Sequence, residues 1–472
     1  MRRRLVAASG LATVLATGST ALAAPPWSEP RTIGSPAPSI GRATLAFGPR
    51  GTALLSRRVS GGDITMRAQD TDRLATGVPD GALVERASLR DQIAAPPVVF
   101  GRGRVALLRQ TTLSEPDYPV QRVRLGLWSG SIGRPLGRRP PRRVATLTLV
   151  SNLITTGPAI AAGPRGALAI VWVAHREQPD LSGSFRVRLA LRRPNGRWDR
   201  TRTVASGRFF SDRSTDSVAV AFAGRGDVVV AYQVPGVPGQ GSSVRVRTLR
   251  RGRRFDKSQA LGPHRGIVEL QLDSARDRVV AAWATQDGGE EADTPSVVRA
   301  AIRAPGSRRF GATRIIDPGE GIDRASGRLC LAMAPDGTAL LAWANVRGRF
   351  PGLGYPVRVA IAEPGADFGP AAELAPNGGA ADAVARSDGA LMVVWTTPPN
   401  GPVTTPRQTL AAIRPSSGGP FGLPEVIGES SPQVGFDRGA AGAFDPRTGR
   451  PTVLWSASDA GSDTLQMSTR TG

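Results

Sequence analysis

The sequence is poor in the residues on which most protein chemistry relies. Its 472 residues include one cysteine, two histidines and three tyrosines, and Lys257 is the only lysine. A single cysteine, Cys330, rules out an intrachain disulfide, and its alternation with Ala332 predicts a buried, inert thiol on a short strand. His175 and His264 are widely separated and have no cysteines at zinc-ligand spacing, so no zinc site is expected. Helical periodicity is scarce, which predicts an all-β chain. The apolar run Leu5–Leu22 is diluted by Ser, Thr and Gly and is too polar for a membrane anchor, so no integral membrane span is expected.

Negative charge is also in short supply. Sixty-one Lys and Arg stand against 38 Asp and Glu, a formal net charge of +23. Nearly all of the positive charge is Arg, in a chain rich in Ala, Gly and Pro, which makes high-GC coding one source of it. Two basic clusters, 134–143 (RPLGRRPPRR) and 250–257 (RRGRRFDK), read as solvated turns. Basic residues interleaved with exposed aromatics, or a recognisable module, would mark a nucleic-acid binder. Neither is present, and no nucleic-acid partner is expected. The partner class the charge favours is an anionic cell-surface polymer, glycan or lipid headgroup.

What the chain does have is repetition. The cleanest copy, 329–374, holds an alternating run (Leu329 to Ala334), a Pro335-Asp336-Gly337 turn and a nearly all-apolar run (Ala339 to Trp343). A second alternating run (Val357 to Ile361), the turn Phe368-Gly369 and a short final run to Leu374 complete it. These parts read as four strands, the second apolar on both faces. Aligned on Trp343, the equivalent positions are Arg57, Arg109, Trp172, Tyr232, Trp283, Trp343, Trp395 and Trp455, with gaps of 52, 63, 60, 51, 60, 52 and 60 residues. Periods of this size with four strands each predict a β-propeller of eight four-stranded blades rather than separate domains. The large residue of the second strand is then a wedge between adjacent sheets. The first copy, about 43–90, is the most degenerate, so seven blades plus an irregular insertion is the alternative.

Met1–Ala24 reads as a signal peptide: Arg2-Arg3-Arg4, a moderately apolar stretch, then Ala21-Leu22-Ala23 for cleavage. No cysteine follows it, which excludes a lipoprotein anchor, and its twin-arginine likeness is partial, so export is expected while the route stays open. Residues 25–472 form one propeller domain in this reading, secreted or extracytoplasmic and monomeric. Trp27–Ile33 matches the fourth part of the unit but precedes any complete copy, whereas the last copy stops after its third part, 465–469. Pairing of the strand at 27–33 with that at 465–469 would close the ring and remove its exposed edges.

The turns Arg193-Pro194-Asn195-Gly196-Arg197-Trp198 and Glu363-Pro364-Gly365-Ala366-Asp367-Phe368-Gly369 are similar in position and shape to the Asp-box turns of sialidase-like propellers. In that family the turn reads Ser-x-Asp-x-Gly-x-Thr-Trp and is structural; here only the Gly and the aromatic persist. The resemblance implies a propeller fold. It would also imply an arginine triad, a Tyr–Glu pair and an Asp acid, but no nucleophile, base and acid with convergent spacing can be assembled, and no family residue is carried over.

In a four-stranded blade, loops from the second strand to the third and loops between blades share one rim. Here the former are long: 110–121, 174–184, 233–243, 284–296, 344–356 and 396–408. They hold the candidate ligand-binding residues Tyr118, His175, Glu177, Glu290, Glu291, Asp293 and Tyr355. No catalytic or metal-binding residue is assigned and no cofactor is expected. Calcium stays open through the acidic stretch 287–293, which lacks the regular spacing of a calcium loop. The expectation is an exported, non-catalytic binding scaffold. The alternative is a carbohydrate-active hydrolase or lyase that uses loop carboxylates.

Overall fold

The computed structural model describes residues 27–471 apart from 38–39, 48–51, 60–63, 71–82, 87–90, 102, 113–119, 132–141, 151–157, 178–181, 211–216, 225, 235–241, 252–253, 265–266, 287–295, 320–328, 345–355, 380–381, 398–405, 431–439 and 460–461. The signal peptide expected at 1–24 lies outside these residues. The described chain is all-β, with strands grouped in four-stranded antiparallel sheets.

The first strand, β1 (Arg31–Ala37), belongs to the last sheet and is described with it below. One sheet follows it: β2 (Ile40–Phe47), β3 (Thr52–Val59), β4 (Ile64–Asp70) and β5 (Leu83–Arg86). This is the degenerate copy, and it has four strands like the others. The next sheet is β6 (Asp91–Phe100), β7 (Arg104–Thr112), β8 (Val120–Ser131) and β9 (Arg142–Val150). Then come β10 (Ala159–Ala162), β11 (Leu168–Glu177), β12 (Ser182–Arg192) and β13 (Arg202–Phe210). The sheet after that has β14 (Val218–Ala223), β15 (Asp227–Val234), β16 (Ser242–Leu249) and β17 (Gln259–His264). It is followed by β18 (Ile267–Ala275), β19 (Arg278–Gln286), β20 (Ser296–Arg303) and β21 (Arg314–Asp317). Next are β22 (Cys330–Met333), β23 (Ala339–Ala344), β24 (Val357–Ala362) and β25 (Ala372–Ala375). The run continues with β26 (Asp382–Ala385), β27 (Leu391–Thr396), β28 (Arg407–Arg414) and β29 (Glu425–Ser430). Finally β30 (Ala441–Phe444), β31 (Pro451–Asp459) and β32 (Ser462–Thr469) are completed by β1.

Apart from the addition of β1 to the last sheet, the chain meanders within each sheet from one strand to its neighbour, and tight turns join first strands to second. In the hairpin from β22 to β23, Gly337 adopts φ 103° and donates its N–H to Ala334, while Asp336 accepts from Thr338 N at 2.7 Å. Only glycine enters that region of φ without strain. The turn after the third strand also has a fixed form. Gly311 N bonds Ile302 O, Gly369 N bonds Ile361 O and Gly422 N bonds Ile413 O. That bond tucks Phe310 and Phe368 into the core. The Asp-box-like shape thus persists through backbone geometry after most of its side chains have gone.

Sheets pack through their first and second strands: β6 against β10, β10 against β14, β14 against β18, β18 against β22, β22 against β26, and β26 against β30. The wedge series fills these seams. Trp172, Tyr232, Trp283, Trp343, Trp395 and Trp455 are all at most 4% exposed. Each of the last three meets the end of the preceding sheet's outer strand. Trp343 Nε1 donates to buried Asp317 at 3.1 Å, Trp395 lies against Gly378, and Trp455 lies against Gly428. The sequence gives the two earliest positions as Arg57 and Arg109; their backbones pair in β3 and β7, opposite Ala43 and Ile93.

The first and last described strands share a sheet. Arg31 stands opposite Met467 and Ile33 opposite Leu465 in the β1–β32 pair, and Trp27 bridges Arg470. Glu425 of β29 holds both ends at once, accepting from Trp27 Nε1 and from Arg470, each at 2.8 Å.

Seam packing predicts a sharp response at glycine. A Cβ on Gly428 would stand 2.4 Å from Trp455 Cζ2, whereas one on Gly262 meets nothing within 4 Å. Gly428→Ala is therefore expected to destabilise the fold by about 1–3 kcal/mol in a urea titration, against a far smaller effect for Gly262→Ala. Equal midpoints for the two variants would refute the wedge.

Candidate functional site

Strand β18 alternates cleanly. Leu270 enters the core with Leu272 beside it, and Glu269, Gln271 and Asp273 occupy the other side, each half-buried. Polar residues on an inner strand need partners, and the adjacent sheet supplies them. As a first strand, β22 has a ladder neighbour on one side only, so alternate amides lack a strand partner. Leu329 N donates to Glu269 Oε2 at 2.7 Å, and Met333 N donates to Asp273 Oδ2 at 3.0 Å. The pattern recurs where Gly442 N donates to Asp382 Oδ2 at 3.1 Å. Each bridge spans 60 residues, one repeat forward.

Burial raises the carboxyl pKa values. Glu269 is pushed up to about 7 by desolvation, opposed by its bonds from Leu329 N and Gln271. Asp273 rises to about 6 for the same reason, against bonds from Ser274 N and Met333 N. Glu269 is therefore poised to titrate near neutral pH. A second carboxyl approaches the same strand from the next sheet: the thiol of Cys330, adjacent to Leu329, contacts Asp382 Oδ1 at 3.8 Å. Glu269 and Asp382 thus flank the start of β22. Cys330 itself is buried.

Both carboxylates stand near the beginnings of first strands. By the meander geometry that end of the sheets is the rim carrying the loops from second to third strands. Gln233, near the rim end of β15, is 4% exposed and its amide makes no hydrogen bond among the described residues. Of the residues expected at this rim, His175 and Glu177 lie in β11 rather than in a loop, paired with Phe185 and Gly183. Tyr118, Glu290, Glu291, Asp293 and Tyr355 lie outside the described residues, as does the acidic stretch 287–293. Among the described residues no group of three or more His, Cys, Asp or Glu side chains is placed to hold a metal ion. No described helix is long and apolar enough to cross a membrane. Glu269, Asp273 and Asp382 lie on β18 and β26, inner strands rather than the long loops in which ligand-binding residues are expected. Their signal was present in Glu269-Leu270-Gln271-Leu272-Asp273, acidic residues alternating with leucines in a first strand.

No protein-family model and no curated protein matches the chain. Solved structures do. The K499G mutant of NanB sialidase from Streptococcus pneumoniae is 9% identical, covers 93% of this chain and 94% of its own, and has a TM-score of 0.37. The polysaccharide lyase Uly1 is 10% identical over 79% of this chain and 88% of its own, with a TM-score of 0.41. An α-L-arabinanase of Penicillium chrysogenum, complexed with arabinobiose, is 14% identical over 66% of this chain and 92% of its own, with a TM-score of 0.33. A eukaryotic initiation factor also matches. The likeness to sialidase-like propellers is one of fold. The neighbours named are mainly glycoside hydrolases and lyases, and this corrects the expectation of a non-catalytic binding scaffold. At such identities the chemistry must come from this chain's own residues.

The raised carboxyls give a signed pH dependence. A folded-state pKa above the ordinary 4.5 of Glu or 3.8 of Asp contributes stability that is complete below those values and is lost as pH rises through about 6 and 7. Melting temperatures measured from pH 4 to 8 (about the span of these titrations) should fall more steeply for the native chain than for Glu269→Gln/Asp273→Asn. Parallel curves would contradict the assignment.

Proposed function

We propose that the chain is a carbohydrate-active enzyme that cleaves a glycan at the rim where the inner strands begin. The observation that carries this reading is the placement of Glu269 and Asp382 on either side of the Leu329–Cys330 backbone, with Glu269 protonatable near neutral pH. Glycosidic bond cleavage needs a carboxylic acid to protonate the leaving oxygen and a second carboxylate to assist attack or to take a proton. Glu269 has the pKa of the acid, and Asp382 is the second carboxylate. Glu269 keeps its proton because desolvation penalises the anion. Asp273, lying deeper along β18 with Oδ1 on Ser274 N and Oδ2 on Met333 N, acts as a structural bridge.

The scaffold in this reading is a closed ring of eight blades. Support comes from β2, which packs against β30 on one side and β6 on the other, and from the shared sheet of β1 and β32. Met1–Ala24 is read as an export leader and 25–472 as a single domain acting outside the cytoplasm, supported by the leader's basic start and small residues.

The test is turnover on a panel of polysaccharides, including arabinan, sialylated glycans and uronate polymers, with reducing ends and unsaturated products both monitored. Glu269→Gln is expected to lose about 10²–10⁴-fold in kcat while keeping its circular dichroism, the usual contribution of a general acid. Asp382→Asn should lose activity as well. Full activity in Glu269→Gln would overturn the assignment, as would inactivity of the native chain across the panel.

A further inference from the structure

On the opposite side of the molecule the turns from third to fourth strands form a different feature. Between the β14–β17 and β18–β21 sheets lies a cleft of about 520 Å³, walled by Arg247, Arg250, Lys257, Arg308 and Arg309, with Asp256 its one acidic lining residue. Five cations against one carboxylate leave an excess of four positive charges. Two of the five are committed to structure. Arg247 donates to Asp256 O at 2.9 Å and to Val204 O at 2.5 Å, and lies over Phe255; Arg250 pairs with Asp256 at 3.3 Å. Lys257, Arg308 and Arg309 are exposed and make no ion pair among the described residues.

The walls are held in register. The amide of Gln259 forms a two-way bond with the backbone of Phe310, donating to its O at 2.8 Å and accepting from its N at 3.0 Å. Ser307 Oγ accepts from Arg309 N at 3.2 Å and donates to Arg309 O at 2.8 Å, which fixes the backbone that carries the two arginines. Cations carried on two sheets on either side of an open cleft match several anionic groups along one extended chain rather than a single small ion.

We infer that this cleft binds an acidic polysaccharide through its carboxylate or sulfate groups. The lining excludes two other polyanion classes. Val246 and Phe310 are buried, and Phe255 is covered by Arg247, so no aromatic face is offered for base stacking. The lining offers no exposed apolar side chain to enter a bilayer, which does not suit a lipid surface. The site lies on the face opposite the Glu269 rim and would hold a charged chain without cleaving it. Binding is read without turnover, so failure here is distinguishable from failure of the proposed catalysis.

The experiment is biolayer interferometry of the full chain on heparin and on polygalacturonate, with dextran, single-stranded oligo-dT and anionic liposomes as comparisons. Arg308→Ala/Arg309→Ala should weaken polysaccharide binding by at least about tenfold, since each charge-assisted contact carries over 1 kcal/mol. Arg197→Ala/Arg200→Ala removes the same charge from exposed positions around the equivalent turn of the β10–β13 sheet and should change binding less than about threefold, as screened surface charges do. Equal loss in both double variants would mean bulk charge attraction and would overturn the site. So would tighter binding of oligo-dT or liposomes than of the acidic glycans, or equal binding of dextran.

Discussion

The structure depends on one constraint: the second strands whose side chains are described are apolar on both faces and must be covered on both. The strand β23 shows it most plainly, since every residue from Ala339 to Ala344 is buried. A single such sheet in water would expose two greasy surfaces, so it is stable only between neighbours. The tryptophans set the seam. A wide indole on the second strand meets Gly378 or Gly428 of the preceding sheet, large against small, so adjacent sheets interlock at the seam. Trp343 uses its N–H as well, on Asp317, which also receives Arg358 at 3.0 Å. Trp283, Trp395 and Trp455 make no such bond among the described residues. Packing area, rather than hydrogen bonding, is therefore what the position selects.

Arginine has a comparable structural role, which composition alone could not reveal. The guanidinium of Arg278 is 2% exposed and crosses to the next sheet, donating to Gly337 O at 2.6 Å, to Glu363 O at 2.7 Å and to Ala366 O. Arg386 likewise reaches Gly449 O at 2.8 Å. A planar fork can satisfy several turn carbonyls at once, which a lysine ammonium on its flexible stem does less well. Part of the positive charge thus sits where hairpin turns of neighbouring sheets need donors. The cleft at Lys257, Arg308 and Arg309 stands apart because its exposed cations line one concavity between two sheets.

The repeat made most of the architecture legible. Strand order, turn positions and the wedge at Trp172 through Trp455 all follow from alternation and spacing within the chain. The candidate site was hidden for a physical reason. Its carboxylates bond to amides 60 residues away, and a contact between sheets has no local signature. Acidic residues alternating with leucine in β18 look like an ordinary half-solvated strand until the neighbouring edge is seen. Reading function from long loops also misplaced His175 and Glu177, because β11 runs through them to Glu177.

A cross-link tests directly whether the two extremities of the chain share one sheet. Thr32 and Gln466 are opposed across β1 and β32, and Gln466 Nε2 donates to Thr32 Oγ1 at 2.9 Å. With Cys330 replaced by Ala, Thr32→Cys/Gln466→Cys should form an intramolecular disulfide under mild oxidation, because opposed strand positions bring Cα atoms to about 4.5–5.5 Å. Non-reducing electrophoresis should show a compact monomer and melting should shift upward. Free thiols in the folded protein, or cross-linking only between molecules, would contradict a ring joined at its ends.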